Sequence, residues 1–228
     1  ALGVLEAAAS TKLWVHYFLY MKWIKNLGTS KHQDYLYRAA DLTDWGAFGL
    51  TELGHGSNVQ ELETTATYDH STKEFILNSP TETSIKFWIG NLGQTANMMV
   101  CFAQLYVNEE HHGLHAFVVP IRNRKTHLPF EGCTIGDCGD KIGLQAMDNG
   151  WIKFSNYRIP SDNLLNKISQ INEEGIFSTT IPKKSKRFAI QIGTLSGGRV
   201  LASSNASDCA LVALSTAIRY GSWRKQFS

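Results

Sequence analysis

The sequence has 228 residues, 43% of them hydrophobic and 18% charged, which is enough apolar material for a sizeable core and falls between one domain and two. Its 22 basic and 20 acidic residues leave a net charge of +2, too balanced to point to a nucleic acid or an anionic membrane as partner. The four cysteines, Cys101, Cys133, Cys138 and Cys209, form no CxxC pair, and Cys133 with Cys138 has no second pair to complete a zinc site. With no secretory signal they read as reduced intracellular thiols.

In chain order, the apolar stretch from Leu2 to Leu27 is interrupted by Glu6, Lys12, His16, Lys22 and Lys25, which a bilayer core would penalise. Its apolar residues recur at helical spacing and predict an amphipathic helix from about Val4 to Asn26, with Gly28 as C-cap. Ser30 with Gln33 three residues later is a capping-box pattern that opens a second helix ending near Asp41. The start at Ala1 without an initiator Met and the finish on Gln226-Phe227-Ser228 read as cut ends.

From about Trp45 the period becomes that of strands. Leu62, Thr64, Ala66 and Tyr68 alternate with polar neighbours, and Phe75-Ile76-Leu77 follows the polar turn Asp69-His70-Ser71-Thr72, so a hairpin is predicted. Further strands are predicted over Ser84 to Trp88, Met98 to Tyr106, Leu114 to Pro120 and Trp151 to Phe154. Residues 166–185 are polar and read as a loop, and the basic run Lys183, Lys184, Lys186, Arg187 reads as solvated. The helical period returns near Phe188, with an apolar stripe of Ile192, Leu195, Val200, Leu201, Ala210, Leu211, Leu214 and Ile218. The fold class is therefore α+β, a helical N-terminal segment, a mostly antiparallel β middle domain and the start of a C-terminal helical domain. The boundaries are 1–44, 45–165, a linker over 166–187, and 188–228. Asn205-Ala206-Ser207 matches a glycosylation sequon by chance, since it lies in a helical stretch.

The most informative segment is Thr51-Glu52-Leu53-Gly54-His55-Gly56-Ser57-Asn58, a strand end entering a glycine-rich turn. Such a turn lets backbone approach a ligand closely and exposes amides suited to a phosphate or a flavin edge, or it is an ordinary surface turn. It is not a serine-hydrolase elbow, because Ser57 lacks the second glycine. His111, His112 and His115 have no carboxylate cluster beside them, so no metal site is expected.

Leu50 to Asn58 resembles the TE-x-G-x-GS-[DN] signature of acyl-CoA dehydrogenases and, through His55 and Asn58, the acyl-CoA oxidase version of it. Other stretches resemble the oxidases in the same order: Leu62 to Tyr68, Asn78-Ser79-Pro80, Thr83 to Lys86 running on to Trp88 and Gly90, and Gly113 to Phe117. Val119 to Arg122, Gly136-Asp137, Lys141-Ile142-Gly143, Asp148-Asn149-Gly150 and Arg158-Ile159-Pro160 complete the series. The resemblance spans essentially the whole chain. Leu50, Phe87 and Ile89 depart from the oxidase pattern.

The resemblance implies an FAD-dependent acyl-CoA oxidase of fatty-acid β-oxidation, peroxisomal and homodimeric, with acyl-CoA as substrate and O2 as electron acceptor. It implies that Thr51 hydrogen-bonds the flavin, that the Gly90 backbone lies at it, and that Trp88 packs near the isoalloxazine. Ser57 and Arg199 would contact substrate, Ser196 standing in place of the family's acid before Arg199. Arg224 would reach the FAD diphosphate of a neighbouring subunit. The family's catalytic glutamate lies beyond Ser228, so no catalytic residue is assigned in this chain, and Glu52 is not that base. An acyl-CoA dehydrogenase and a non-catalytic flavin-fold or acyl-CoA-binding protein remain as other readings.

Overall fold

The computed structural model describes residues 7–227. The first helix, α1, is built of α-helical Ala7–Trp14, π-helical Val15–Met21 and α-helical Lys22–Leu27; its expected start at Val4 lies outside the described residues. The wide π turn brings His16 and Tyr20 inward alongside Trp23, Ile24 and Leu27. The Gly46 amide donates to His16 Nδ1 (3.0 Å), so Nε2 carries the proton and donates to the Ala39 carbonyl at 2.9 Å. Burial pushes this imidazole below its ordinary pKa, which keeps it neutral. Gly46 itself is obligatory, because a Cβ there would fall 2.0 Å from Tyr20 Cγ.

Gly28 caps α1 in extended rather than left-handed geometry. The next cap falls one residue earlier than expected: Thr29, not Ser30, is the N-cap, and it exchanges hydrogen bonds with His32. The 3-10 turn Ser30–His32 then leads into α2, Gln33–Ala40, which ends at Asp41 as expected.

Eleven strands follow among the described residues, β1 (Gly46–Gly49), β2 (Thr65–Asp69), β3 (Glu74–Asn78), β4 (Lys86–Ile89), β5 (Met98–Val107), β6 (Glu110–Pro120), β7 (Cys133–Asp137), β8 (Gly150–Phe154), β9 (Tyr157–Pro160), β10 (Ser169–Ile171) and β11 (Phe177–Thr179). The long strand β5 carries β1 beside its first half and β2 beside its second, both parallel, and β6 antiparallel. β3 and β9 extend that sheet beyond β2, while β4, β8 and β7 form a second, antiparallel sheet. Most pairings are antiparallel as expected; the two parallel ones on β5 make the sheet mixed.

β5 is buried on both faces, which explains its almost unbroken apolar run. Met99, Cys101, Ala103 and Leu105 face a core shared with Phe75, Leu77, Phe117, Ile152 and Phe154, between the two sheets. Met98, Val100 and Phe102 face a second core closed by Tyr20, Trp23, Ile24 and Leu27 of α1.

Residues 166–185 hold the β10–β11 hairpin rather than only a polar loop. Arg187, expected to be solvated with its basic neighbours, is instead buried and donates to the carbonyls of Ile181, Pro182 and His112. It sits on α3 (Lys184–Gly193), where Phe188 and Ile192 pack on the second core, with Leu195 just beyond the helix. Then α4 (Ser196–Trp223) leaves the body with Val200, Leu211, Leu214 and Ile218 exposed; the Leu201 side chain lies outside the described residues.

His115 on β6 is buried, its Nδ1 3.0 Å from the Gly113 carbonyl and its Nε2 without a partner among the described residues. Burial holds its pKa down to about 4. Between pH 6.5 and about 4 the unfolded chain therefore binds a proton that the folded chain refuses, so stability falls on acidification through that window. His115→Leu is expected to flatten that loss by on the order of 3 kcal/mol. The check is the slope of the thermal midpoint against pH, parent against variant; an unchanged slope would contradict it.

Candidate functional site

Beyond β1 the chain runs through Leu50 to Asn58 and lies back against β4. A buried ion pair pins it there. Glu52 accepts from Lys86 Nζ at 3.0 Å, from the Thr64 amide at 2.9 Å and from the Glu63 amide at 2.8 Å, and from the Thr64 hydroxyl. His55 Nδ1 lies 3.3 Å away from the same carboxylate, and Lys86, fully buried, also reaches the Leu50 carbonyl at 3.3 Å. Burial pushes the Glu52 carboxyl up, but the Lys86 charge and the Thr64 and Glu63 hydrogen bonds outweigh it and hold the group below the ordinary range. With its oxygens occupied by these partners, Glu52 is structural and cannot serve as a free base.

One residue earlier, Thr51 Oγ1 donates to the Phe87 carbonyl at 2.8 Å, and the Phe87 amide donates back to the Thr51 carbonyl. The pairing of β4 with β8 slips between Lys86 and Ile89, so Phe87 and Trp88 form a bulge. Trp88 sits there with φ of 63° and its ring 54% exposed, an uncommon backbone conformation for an aromatic residue. Its carbonyl accepts from Asn149 Nδ2 at 3.3 Å. Gly90 follows, and a Cβ at that position would meet Met147 Cε at 2.3 Å.

Thr51, Trp88 and Gly90 thus line one well of about 310 Å³, with Val15 and Leu19 of the π turn on one side and Phe48, Met147 and Asn149 on the others. It opens beside a larger hollow of about 790 Å³ bounded by Thr11, Lys141, Ile142 and Leu144. Trp88, Met147 and Asn149 border both. The wall is mostly apolar, with the Thr51 hydroxyl and the Asn149 amide as its polar points, which suits a flat aromatic heterocycle.

Behind the well, Asp148 ties the two sides together. It takes the amides of Gln94 (2.7 Å) and Thr95 (2.8 Å), the Thr95 hydroxyl, and the Lys12 ammonium from α1. Its carboxyl is pushed up by burial and held below the ordinary range by Lys12 and the Thr95 and Gln94 amides.

Ser57, Arg199 and Arg224 are exposed and do not border this well; Arg224 caps the C-terminal end of α4. The three histidines of β6 go to separate partners: His111 to Gln104, His112 stacked on Phe177, and His115 to Gly113. Among the described residues no cluster of three or more His, Cys, Asp or Glu could hold a metal. Sequence reasoning missed Val15, Leu19, Phe48 and Met147 as wall residues. Asn149 was visible only as part of Asp148-Asn149-Gly150.

A family model described as "Acyl-CoA dehydrogenase, middle domain" matches residues 47–157. Acyl-coenzyme A oxidase 3, peroxisomal, of Arabidopsis thaliana is 40% identical over 99% of this chain and 34% of its own length. The crystal structure of acyl-CoA oxidase 1 from Yarrowia lipolytica superposes with a TM-score of 0.90 at 37% identity, covering 99% of this chain and 33% of that one. Acyl-CoA oxidase-1 of Caenorhabditis elegans, complexed with FAD and ATP, gives a TM-score of 0.71 at 40% identity over 72% of this chain and 26% of that one. The β domain is thus of the acyl-CoA dehydrogenase middle-domain class. More particularly, the chain belongs to the acyl-CoA oxidase family, and it spans about a third of the length of the curated relatives it matches.

Lys86→Met is expected to destabilise the fold by about 3–5 kcal/mol, because it strands the buried Glu52 carboxylate. Adding Glu52→Gln should recover part of that loss. Denaturant unfolding of the two variants checks both statements, and a single substitution no worse than the double would contradict them.

Proposed function

We propose that this chain is the flavin-binding middle of a peroxisomal acyl-CoA oxidase acting in fatty-acid β-oxidation. The observation that carries the reading is the convergence of Thr51, Trp88 and Gly90 on one well, in a chain whose relatives are named peroxisomal acyl-CoA oxidases. A relative bound to FAD supports FAD as the cofactor. The domain division is 1–44, 45–165, 166–187 and 188–228.

The residues present fit such a group. Gly90 leaves the backbone bare where a Cβ would already collide, and Trp88 offers a half-exposed indole face. Thr51 spends its proton on the Phe87 carbonyl and keeps its lone pairs for a donor on the ligand. A bound FAD supplies hydride acceptance from the acyl β-carbon and reoxidation by dioxygen, so that acyl-CoA becomes trans-2-enoyl-CoA with release of hydrogen peroxide.

The chain's own contribution is positional. Val15, Leu19, Phe48, Leu50 and Ile89 keep the well apolar and exclude water, which strengthens every polar contact made inside it. The Glu52–Lys86 pair and the Asp148 clamp hold opposite walls in register. Ser57 and Arg199 contact substrate, and Arg224 reaches the cofactor diphosphate of a second subunit in a homodimer. The α-proton is removed by a base outside this chain, since Glu52 and Asp148 are both occupied.

The visible spectrum of the purified full-length protein, before and after a long-chain acyl-CoA, tests this. Flavin bands are expected to bleach on substrate and recover in air with peroxide released. Bleaching that recovers only with an added electron-transfer protein would make it a dehydrogenase, and a colourless protein that takes up no FAD would overturn the flavoenzyme reading.

A further inference from the structure

We infer that Asn149 is a positioning residue for this site, one that sets the indole of Trp88 by clamping the carbonyl of the β4 bulge; the inference rests on the flavoenzyme reading above. Trp88 sits in a left-handed conformation at the slip in the β4–β8 pairing, where regular ladder bonds no longer fix it. An aromatic residue has no intrinsic preference for that region, so something outside it must hold it there. The Asn149 amide does so through its 3.3 Å bond to the Trp88 carbonyl.

Asn149 is itself anchored on both sides. Its amide donates to the Met147 carbonyl at 3.0 Å, and its carbonyl accepts the Cys138 amide at 2.8 Å. The preceding residue, Asp148, is fixed by Lys12, Gln94 and Thr95. The following residue, Gly150, packs so closely on Gly93 that a Cβ would lie 2.5 Å from the Gly93 nitrogen. Asn149 therefore projects from a rigid segment of the site wall onto the one residue of that wall whose backbone is strained. Because the ring of Trp88 is half exposed on the border of both hollows, a rotation of its backbone would carry the indole across the mouth between them.

The test uses the full-length flavin-loaded protein with Asn149→Ala, the near-isosteric Asn149→Asp, Trp88→Phe, and Asn149→Ala in the Trp88→Phe background. Either Asn149 change is expected to shift the bound-flavin absorption and lower kcat roughly fivefold, the weight of one neutral hydrogen bond, with KM little changed. In the Trp88→Phe background Asn149→Ala should add nothing further. Effects that add in full would mean Asn149 acts on the ligand directly and would overturn the positioning role, as would a parental spectrum and kcat in both Asn149 variants. Should Asn149→Ala fail to fold, Asn149→Asp carries the same comparison. If the parent takes up no flavin, the functional reading fails separately. The fluorescence difference between the ligand-free parent and Trp88→Phe then reads the indole's setting, and an unchanged difference in the Asn149→Asp background would overturn the inference.

Discussion

A buried charge pair decides where everything else in the site can stand. Glu52 and Lys86 are both removed from water, an arrangement that is tolerable only when each carries other hydrogen bonds as well. Here the backbone of Glu63 and Thr64 and the Thr64 hydroxyl complete the carboxylate, and the Leu50 carbonyl assists the ammonium. The pair therefore joins three separate segments at one point: the turn after β1, the lead into β2, and the start of β4. Thr51 and Phe87 are the immediate neighbours of its two members, so their mutual hydrogen bonds form in a register already chosen.

The well lies at a seam rather than inside either sheet. One wall comes from the π turn of α1, another from the bulge in β4, and a third from the segment before β8. Each of these is irregular, and each is irregular where a regular element borders it. Regular strands supply the stiffness: β5, packed on both faces, fixes the distance between the core under α1 and the core between the sheets. Asp148 then crosses the seam to Lys12, coupling the helix to the sheet at the back of the well.

Much of this was legible in the amino-acid order. The hairpin of β2 and β3 was visible because Ala66, Tyr68, Phe75 and Leu77 alternate with outward residues, and β5 because both of its faces are apolar. The turn of Thr51 to Asn58 and the pair Trp88 and Gly90 announced themselves through small residues in an unusual order. What was not legible depended on tertiary contact. The short strand β1 reads Gly-Ala-Phe-Gly, a composition of turns, and is a strand only because β5 offers it partners. The buried setting of Arg187 depends on carbonyls supplied by the segment before α3 and by β6. Val15 and Met147 reach the well through a π turn and a loop, neither of which has a period to read. The cap at Thr29 was misplaced by one residue because Ser30 offers the same chemistry to the same turn.

The π turn in α1 also bears on how the sequence can change in length. A π stretch is one residue richer than the α-helix that would span the same rise, so the two halves of α1 are out of phase with a single straight helix. Removing one residue between Val15 and Met21 would regularise the backbone and rotate everything after it by about 100°. Trp23, Ile24 and Leu27 would then leave the face that covers β5, although every residue of that cover would still be present. Over evolutionary time this stretch can accept exchanges of side chain far more readily than a change in its residue count.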